Sequence, residues 1–383
     1  MRRTNKPIIL HAMERFGSRT QTFIYNYLTA AERTLPFVLA GKRISTNEFP
    51  FERVKIINDE LERRVFLLRC LGKGFRLLTG KGTKEWRVDR FSQRLRPNLI
   101  HAHFGPTGFA MLGLKEKLNV PLVTTFYGFD MSKMPRHEKW KENYAKLFEI
   151  GDLFLVEGPH MRQKLIEIGA PEEKTEIQRI AIHLVRYPEW RPKNGIPTVL
   201  FVGRWVEKKG LHYALEAVRR LREEVPTLSL RVIGDGPERA KVLRFVKDNQ
   251  MEGSVVFLGM MPHVETIKEM QECHVLIQPS LTAADGDSEG GAPTTILEAQ
   301  AVGIPVVATN HADIPNVTVK GNGVYLCEEK DVEGLVENLR TALKRKGPCD
   351  KSFISRFHNV RTEIKLLEDK YLRLIGEKSD ENP

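Results

Sequence analysis

Short apolar runs recur along the whole chain, each followed by a turn and then by a stretch with helical spacing. They read as strands at 7–11, 35–41, 97–104, 121–128, 151–158 and 175–182, and again at 198–203, 228–233, 255–259, 274–280, 304–309 and 324–327. Strands that alternate with helices specify a parallel α/β architecture. Between the two series lies 184–197, LVRYPEWRPKNGIP, rich in proline and without a hydrophobic period, which reads as a linker between domains. The 383 residues are long for one core and comfortable for two.

Residues 274–310 carry the most legible chemistry, reading as strand, polar loop, helix and strand. Pro293 suits the first helical position, where a missing N–H costs nothing, and Gly303 ends the helix expected at 294–301. Thr294, Thr295, Glu298 and Ala301 share one helical face, while Ile296 and Leu297 point into the core. The free N–H groups and positive dipole end of the first turn suit a phosphate. Gly290 and Gly291 carry no Cβ, so an anion can approach their backbone closely. Glu298 is placed to accept hydrogen bonds from a ribose diol, and Glu289 to do the same for a sugar. A solvated acidic loop before an ordinary helix would look the same at this level.

In an open parallel sheet, ligands bind beyond the C-terminal ends of strands. Arg204 and Lys209 lie in such a position, after the strand 198–203. Two cations there can neutralise a departing diphosphate; an ordinary charged loop is the alternative. Alternation along a strand puts His101 and His103 on one face. With no third Cys, His or carboxylate close by in the sequence, no metal site is expected.

The net charge of +11 favours anionic partners such as nucleotide phosphates or lipid headgroups. No zinc-finger spacing, RNP-like aromatic motif or basic-zipper heptad is present, so nucleic acid is not an expected partner. The basic excess gathers between residues 53 and 96, where Arg63, Arg64, Arg69, Lys73 and Arg76 interleave with Phe66, Leu67, Leu71 and Phe75. That pattern suits an amphipathic segment on an anionic bilayer; its apolar side could equally dock on a domain core. No apolar run reaches the ~18 residues of a membrane span. The opening MRRTNKPIILHAM has too short an apolar segment for a signal peptide and reads as a first strand. Four cysteines without CxxC pairing suggest reduced thiols, hence a cytoplasmic protein, peripheral to the inner membrane face if the basic segment binds there.

The run EGGAPTTILEAQAVGIPVVAT, from Glu289 to Thr309, and GRWVEKKGL, from Gly203 to Leu211, resemble the signatures of glycosyltransferase family four, including its bacterial exopolysaccharide and colanic-acid-type members. The resemblance implies the GT-B fold: two Rossmann-like parallel-sheet domains facing a cleft, at 1–187 for the acceptor and 188–358 for the nucleotide sugar, with residues 359–383 as a helix returning to the first. It implies retaining transfer of a sugar from a nucleotide diphosphate to a hydroxyl acceptor, in cell-surface polysaccharide or glycolipid synthesis, with no cofactor and no metal. By that resemblance Arg204 and Lys209 grip the donor phosphates, Glu298 the ribose, and Glu289 with the Gly290–Gly291 backbone the sugar. The family separates its two glutamates by seven residues, whereas eight intervene here.

On the other side, FGSRTQTFI (16–24) resembles the family's first βα loop, putting Gly17, Ser18 and Thr20 over the donor phosphates. His103, from HAHFG, and Asp130, from TFYGFD, fall at acceptor-side positions; for Asp130 a helix-capping task is the alternative. Tyr127 stands where the family usually has histidine, so that residue's acid–base role is absent. Asp285-Gly-Asp287 resembles the metal-binding DxD of a different glycosyltransferase fold and reads here as loop near the sugar. A phosphorylase or synthase on soluble sugars, and a non-catalytic polyanion-binding protein, remain the competing readings.

Overall fold

A computed structural model describes residues 6–57, 83–193, 195–319 and 321–380. The basic residues Arg63–Lys81 expected at a membrane surface lie outside the described residues, as does Cys70. Among the described residues, no helix is long and apolar enough to cross a membrane.

Two parallel sheets form. In the first, β1 (Ile8–Phe16), β2 (Leu35–Arg43), β3 (Val54–Ile56), β4 (Leu99–His103), β5 (Leu122–Thr125), β6 (Leu153–Val156) and β7 (Thr175–Ile177) lie in the order β3-β2-β1-β4-β5-β6-β7. In the second, β8 (Thr198–Val202), β9 (Ser229–Ile233), β10 (Val255–Gly259), β11 (Val275–Gln278), β12 (Val306–Thr309) and β13 (Val324–Cys327) follow β10-β9-β8-β11-β12-β13. Each order reverses direction once, between β1 and β4 and between β8 and β11. Those reversals open the crevices in which an α/β sheet binds ligands.

Several local expectations are corrected. The strand β1 continues past its expected end at residue 11 to Phe16, because Arg15 and Phe16 stay paired with Lys42 and Arg43 even though Glu14 and Arg15 interrupt the apolar run. The short β3 pairs with β2 through Val54, Lys55 and Ile56, a strand the basic composition concealed. Pro293 sits one position before the helix Thr294–Val302 rather than inside it. The segment 184–197 leads from the first sheet to the second and is packed along its course: Trp190 is buried, and its backbone and indole N–H groups donate to the Val302 and Cys273 carbonyls.

The last helix runs from Val360 to Asp380. Its buried Ile364, Leu367, Tyr371 and Leu374 pack with Ile9, Leu99, Val123 and Leu155 of the first sheet, so the chain crosses back as the resemblance implies. Fully burying a side chain of this kind stabilises by about 1.5–3 kcal/mol. Glu368 of the same helix is buried and accepts from the Glu32, Arg33 and Thr34 N–H groups and the Thr34 hydroxyl, which ties the helix to the turn before β2.

Candidate active site

The two crevices face each other and enclose a cleft of about 460 Å³, within the range of small-molecule sites. From the second domain come Arg204, Lys208, Lys209, Asp287, Glu289, Thr294, Thr295 and Glu298; from the first, Arg19–Phe23, Phe104, Tyr127, Gly128 and Glu157.

The turn after β8 places the two cations. Gly210 takes φ +69°, and a side chain there would collide with the Pro279 carbonyl, so the turn needs glycine to close against the β11 loop. Lys209 Nζ then lies 2.8 Å from Glu289 Oε1 and 2.9 Å from Oε2. Ser280 Oγ donates to the same carboxylate at 2.9 Å. Burial works to raise the Glu289 carboxyl, but Lys209 and Lys208, with hydrogen bonds from Lys209 and Ser280, outweigh it and leave the group below its ordinary range. Lys208, the first lysine of the pair, is spent internally on Asp287 at 2.9 Å. Arg204 is exposed on the cleft wall and has no ion-pair partner among the described residues, so it is free to meet an anion.

Glu298 is buried on the cleft floor, 2.8 Å from His263 Nε2 and 3.4 Å from the Tyr187 hydroxyl. Burial disfavours charge on His263, yet its hydrogen bond and charge contact with Glu298 raise it above its ordinary value. Thr294 lines the cleft beside it, as does Thr295, whose hydroxyl donates to Gln278 Oε1 at 3.1 Å. Ala301, on the same helical face in sequence, is buried in core instead.

The glycine pair serves the domain contact. Gly290, at φ +77°, packs on the Gly128 backbone, and Gly291 packs on Glu157, where a Cβ would meet the carboxylate. Gly17, at φ +81°, turns beneath the Ile44 carbonyl, and the Ser18 hydroxyl bonds Thr20 at 3.0 Å; the residues that reach the cleft are the next five, 19–23.

On the first-domain side, Tyr127 lines the cleft and its hydroxyl meets His103 Nδ1 at 2.7 Å. His103 itself is buried, with Nε2 3.1 Å from His11 Nδ1. The expectation that no third ligand lies near His101 and His103 is corrected: β1 supplies His11, and one nitrogen from each gathers within 4.8 Å. These nitrogens already have partners in the protein, His101 bonding Thr125 Oγ1 at 2.6 Å and the Tyr371 hydroxyl at 2.5 Å. Burial lowers His11 to about 3 and holds the other two well below the usual range, so the cluster is uncharged.

Asp130 is fully buried and accepts from the N–H groups of Gly105, Tyr127 and Gly128 at 2.9, 3.0 and 3.2 Å. In the structure it ties the β4 and β5 loops together as a cap, and no part of it lines the cleft. Asp285 pairs with Lys133 of the first domain at 2.6 Å, and Asp287 with Lys208, so both carboxylates of that pair are occupied by lysines. Glu157, His263 and Phe104 also line the cleft, though the sequence did not single them out; Phe104 stands at φ +73° beside Tyr127. A lone Glu closing the apolar strand before Gly158-Pro159 was the one visible hint among them.

Two parallel-sheet domains of this order, facing a cleft and bound by a returning C-terminal helix, define the GT-B class. A family model described as Glycosyl transferases group 1 matches residues 187–356, and one described as Glycosyltransferase Family 4 matches residues 50–186. Together the two take in most of the chain, which belongs to this glycosyltransferase family. The chain is 34% identical over 249 residues to the putative colanic acid biosynthesis glycosyltransferase WcaL of Escherichia coli, covering 64% of this chain and 61% of the relative. It is 35% identical over 242 residues to the amylovoran biosynthesis glycosyltransferase AmsK of Erwinia amylovora, covering 62% and 59%. The chain thus spans about three fifths of the length of these curated relatives. Among solved structures, Anabaena HepE in complex with UDP superposes with a TM-score of 0.75 at 15% identity, covering 95% of this chain and 99% of that one. Sucrose-phosphate synthase of Thermosynechococcus elongatus gives 0.69 at 16% identity, covering 97% and 100%. At those identities the likeness is one of fold.

Proposed function

We propose that the protein transfers a sugar from a nucleoside diphosphate sugar to a hydroxyl acceptor, with retention at the anomeric carbon. The observation that carries this reading is the convergence of exposed Arg204, Lys209 paired with Glu289, and Glu298 on one cleft between two crevices. Cations at the β8 turn suit a diphosphate, the buried Glu298 carboxylate suits a ribose diol, and Glu289 suits sugar hydroxyls. The C1–O bond to phosphate breaks as the acceptor oxygen bonds C1, and the acceptor's proton passes to the departing phosphate oxygen. Arg204 and Lys209 stabilise the charge that develops there, so no protein nucleophile is needed.

HepE was solved with UDP and with UDP-glucose, and WcaL and AmsK are named for exopolysaccharide biosynthesis. These support a nucleotide-sugar donor and a growing or lipid-linked surface saccharide as acceptor, with the net charge of +11 favouring an anionic membrane face. The test is a panel of UDP- and GDP-sugars incubated with purified protein and candidate saccharide acceptors, with nucleotide release quantified and the product's anomeric configuration read by NMR. An inverted linkage, or neither binding nor turnover of any donor, would overturn the proposal.

A further inference from the structure

Four carboxyl groups crowd where the β5 and β6 ends meet the glycine loop, and three of them are accounted for. Asp130 accepts from three backbone N–H groups of its own domain. Asp313, from the second domain, caps the helix Pro159–Glu167 of the first by accepting from the His160 and Met161 N–H groups at 2.9 and 3.1 Å. Glu289 is matched to Lys209 and Ser280. The fourth, Glu157, stands one residue beyond β6, lines the cleft, and makes no hydrogen bond or ion pair among the described residues. Its Oε2 lies against Gly291, close enough that any side chain at 291 would displace it. Glu157 is half-buried on the cleft wall, so a ligand seated there would take its carboxyl out of water, and a hydrogen bond between the two is what offsets that cost.

We propose that Glu157 contacts the transferred sugar, donating a hydrogen bond to one of its oxygens opposite the accepting carboxylate of Glu289, and so helps select which sugar the cleft takes. This rests on the nucleotide-sugar reading above. Burial, followed by the charges of Asp313, Asp130 and Glu289, pushes the Glu157 carboxyl well above its usual range, with Lys209 opposing, which favours the protonated, donating form. A sugar between the two residues meets a donor on one side and an acceptor on the other. An epimer with a hydroxyl displaced leaves one of them unpaired, the kind of mismatch that discriminates strongly.

The experiment compares Glu157→Gln and Glu157→Ala with the wild type, using a nucleotide sugar the wild type turns over, its epimer, and the free nucleoside diphosphate. Glu157→Ala should lower kcat/KM for the preferred donor about ten- to hundredfold and narrow its preference over the epimer, while leaving affinity for the free diphosphate within about twofold. Glu157→Gln keeps a donor of the same shape, so it should retain kcat/KM within about threefold and show a flatter pH profile than the wild type, because its amide cannot ionise. The inference is overturned if Glu157→Ala keeps the wild-type rate and epimer preference. It is equally overturned if Glu157→Gln is as impaired as Glu157→Ala, or if both lose the free diphosphate alike. A wild type that binds no nucleotide overturns the nucleotide-sugar reading itself, a result visible before either variant is made.

Discussion

Replacing Lys209 with alanine should damage folding as well as turnover, because its partner is buried. The Lys209 and Glu289 side chains are 17% and 8% exposed. Without the ammonium, the Glu289 carboxylate keeps the Ser280 hydroxyl as its remaining hydrogen-bond donor. Breaking one side of a buried pair typically costs 3–5 kcal/mol, and the surviving hydroxyl bond places this case near the low end, about 3 kcal/mol at pH 7.5. The sign with pH follows from the partner. In the wild type the Glu289 carboxyl is held below its ordinary value, so its contribution is present above the unfolded value of about 4.3 and is lost as pH falls. In the variant only Lys208 and the Ser280 hydroxyl still oppose burial, so the group shifts upward from its wild-type position and protonating it at low pH relieves the buried charge. The gap between the proteins should therefore close to about 1 kcal/mol by pH 4. Urea unfolding followed through Trp190 and Trp205, both buried in the second half, measures it at pH 4, 5.5 and 7.5. Adding Glu289→Gln should restore most of the stability and none of the turnover. A loss that is independent of pH, or no loss at all, would refute the buried-pair argument.

Gly128→Ala should cut turnover sharply, because its Cβ would strike the Glu289 carbonyl across the domain contact; Gly113→Ala, with open space around it, is the control that should leave turnover unchanged. Asp130 is raised to about 6 by burial against opposing backbone hydrogen bonds, so the stability it contributes is full below pH 4 and declines as pH rises through 6. Asp130→Asn should abolish that decline, worth about 3 kcal/mol, in unfolding measured from pH 4 to 7.5. Glu298→Gln should lower the His263 titration midpoint seen by NMR, since the contact that offsets its burial is removed. It should also weaken nucleoside diphosphate binding in calorimetry.

The parallel architecture was legible because buried strands between helices leave an apolar period that survives loop variation. The Arg204–Lys209 turn and the Glu289–Glu298 loop and helix were legible because each lies within one short segment. What escaped depends on contacts distant in sequence. His11 joins His101 and His103 only through the register of β1 against β4. Glu157 acquires its setting from Gly291 and Asp313 of the other domain. Asp130 fell at an acceptor-side position because a motif gives residue identity and not orientation; its oxygens turn toward the backbone of two loops. Gly290 and Gly291 show the same gap, since the sequence requires a close approach there and the structure supplies the Gly128 backbone and Glu157 as what approaches.

The most direct measurement is a crystal structure with a bound nucleoside diphosphate. The account predicts diphosphate oxygens within hydrogen-bond distance of Arg204 and Lys209, with the ribose hydroxyls on Glu298. A nucleotide lying outside the cleft, or one whose ribose faces Arg204 while its phosphates face Glu298, would contradict it.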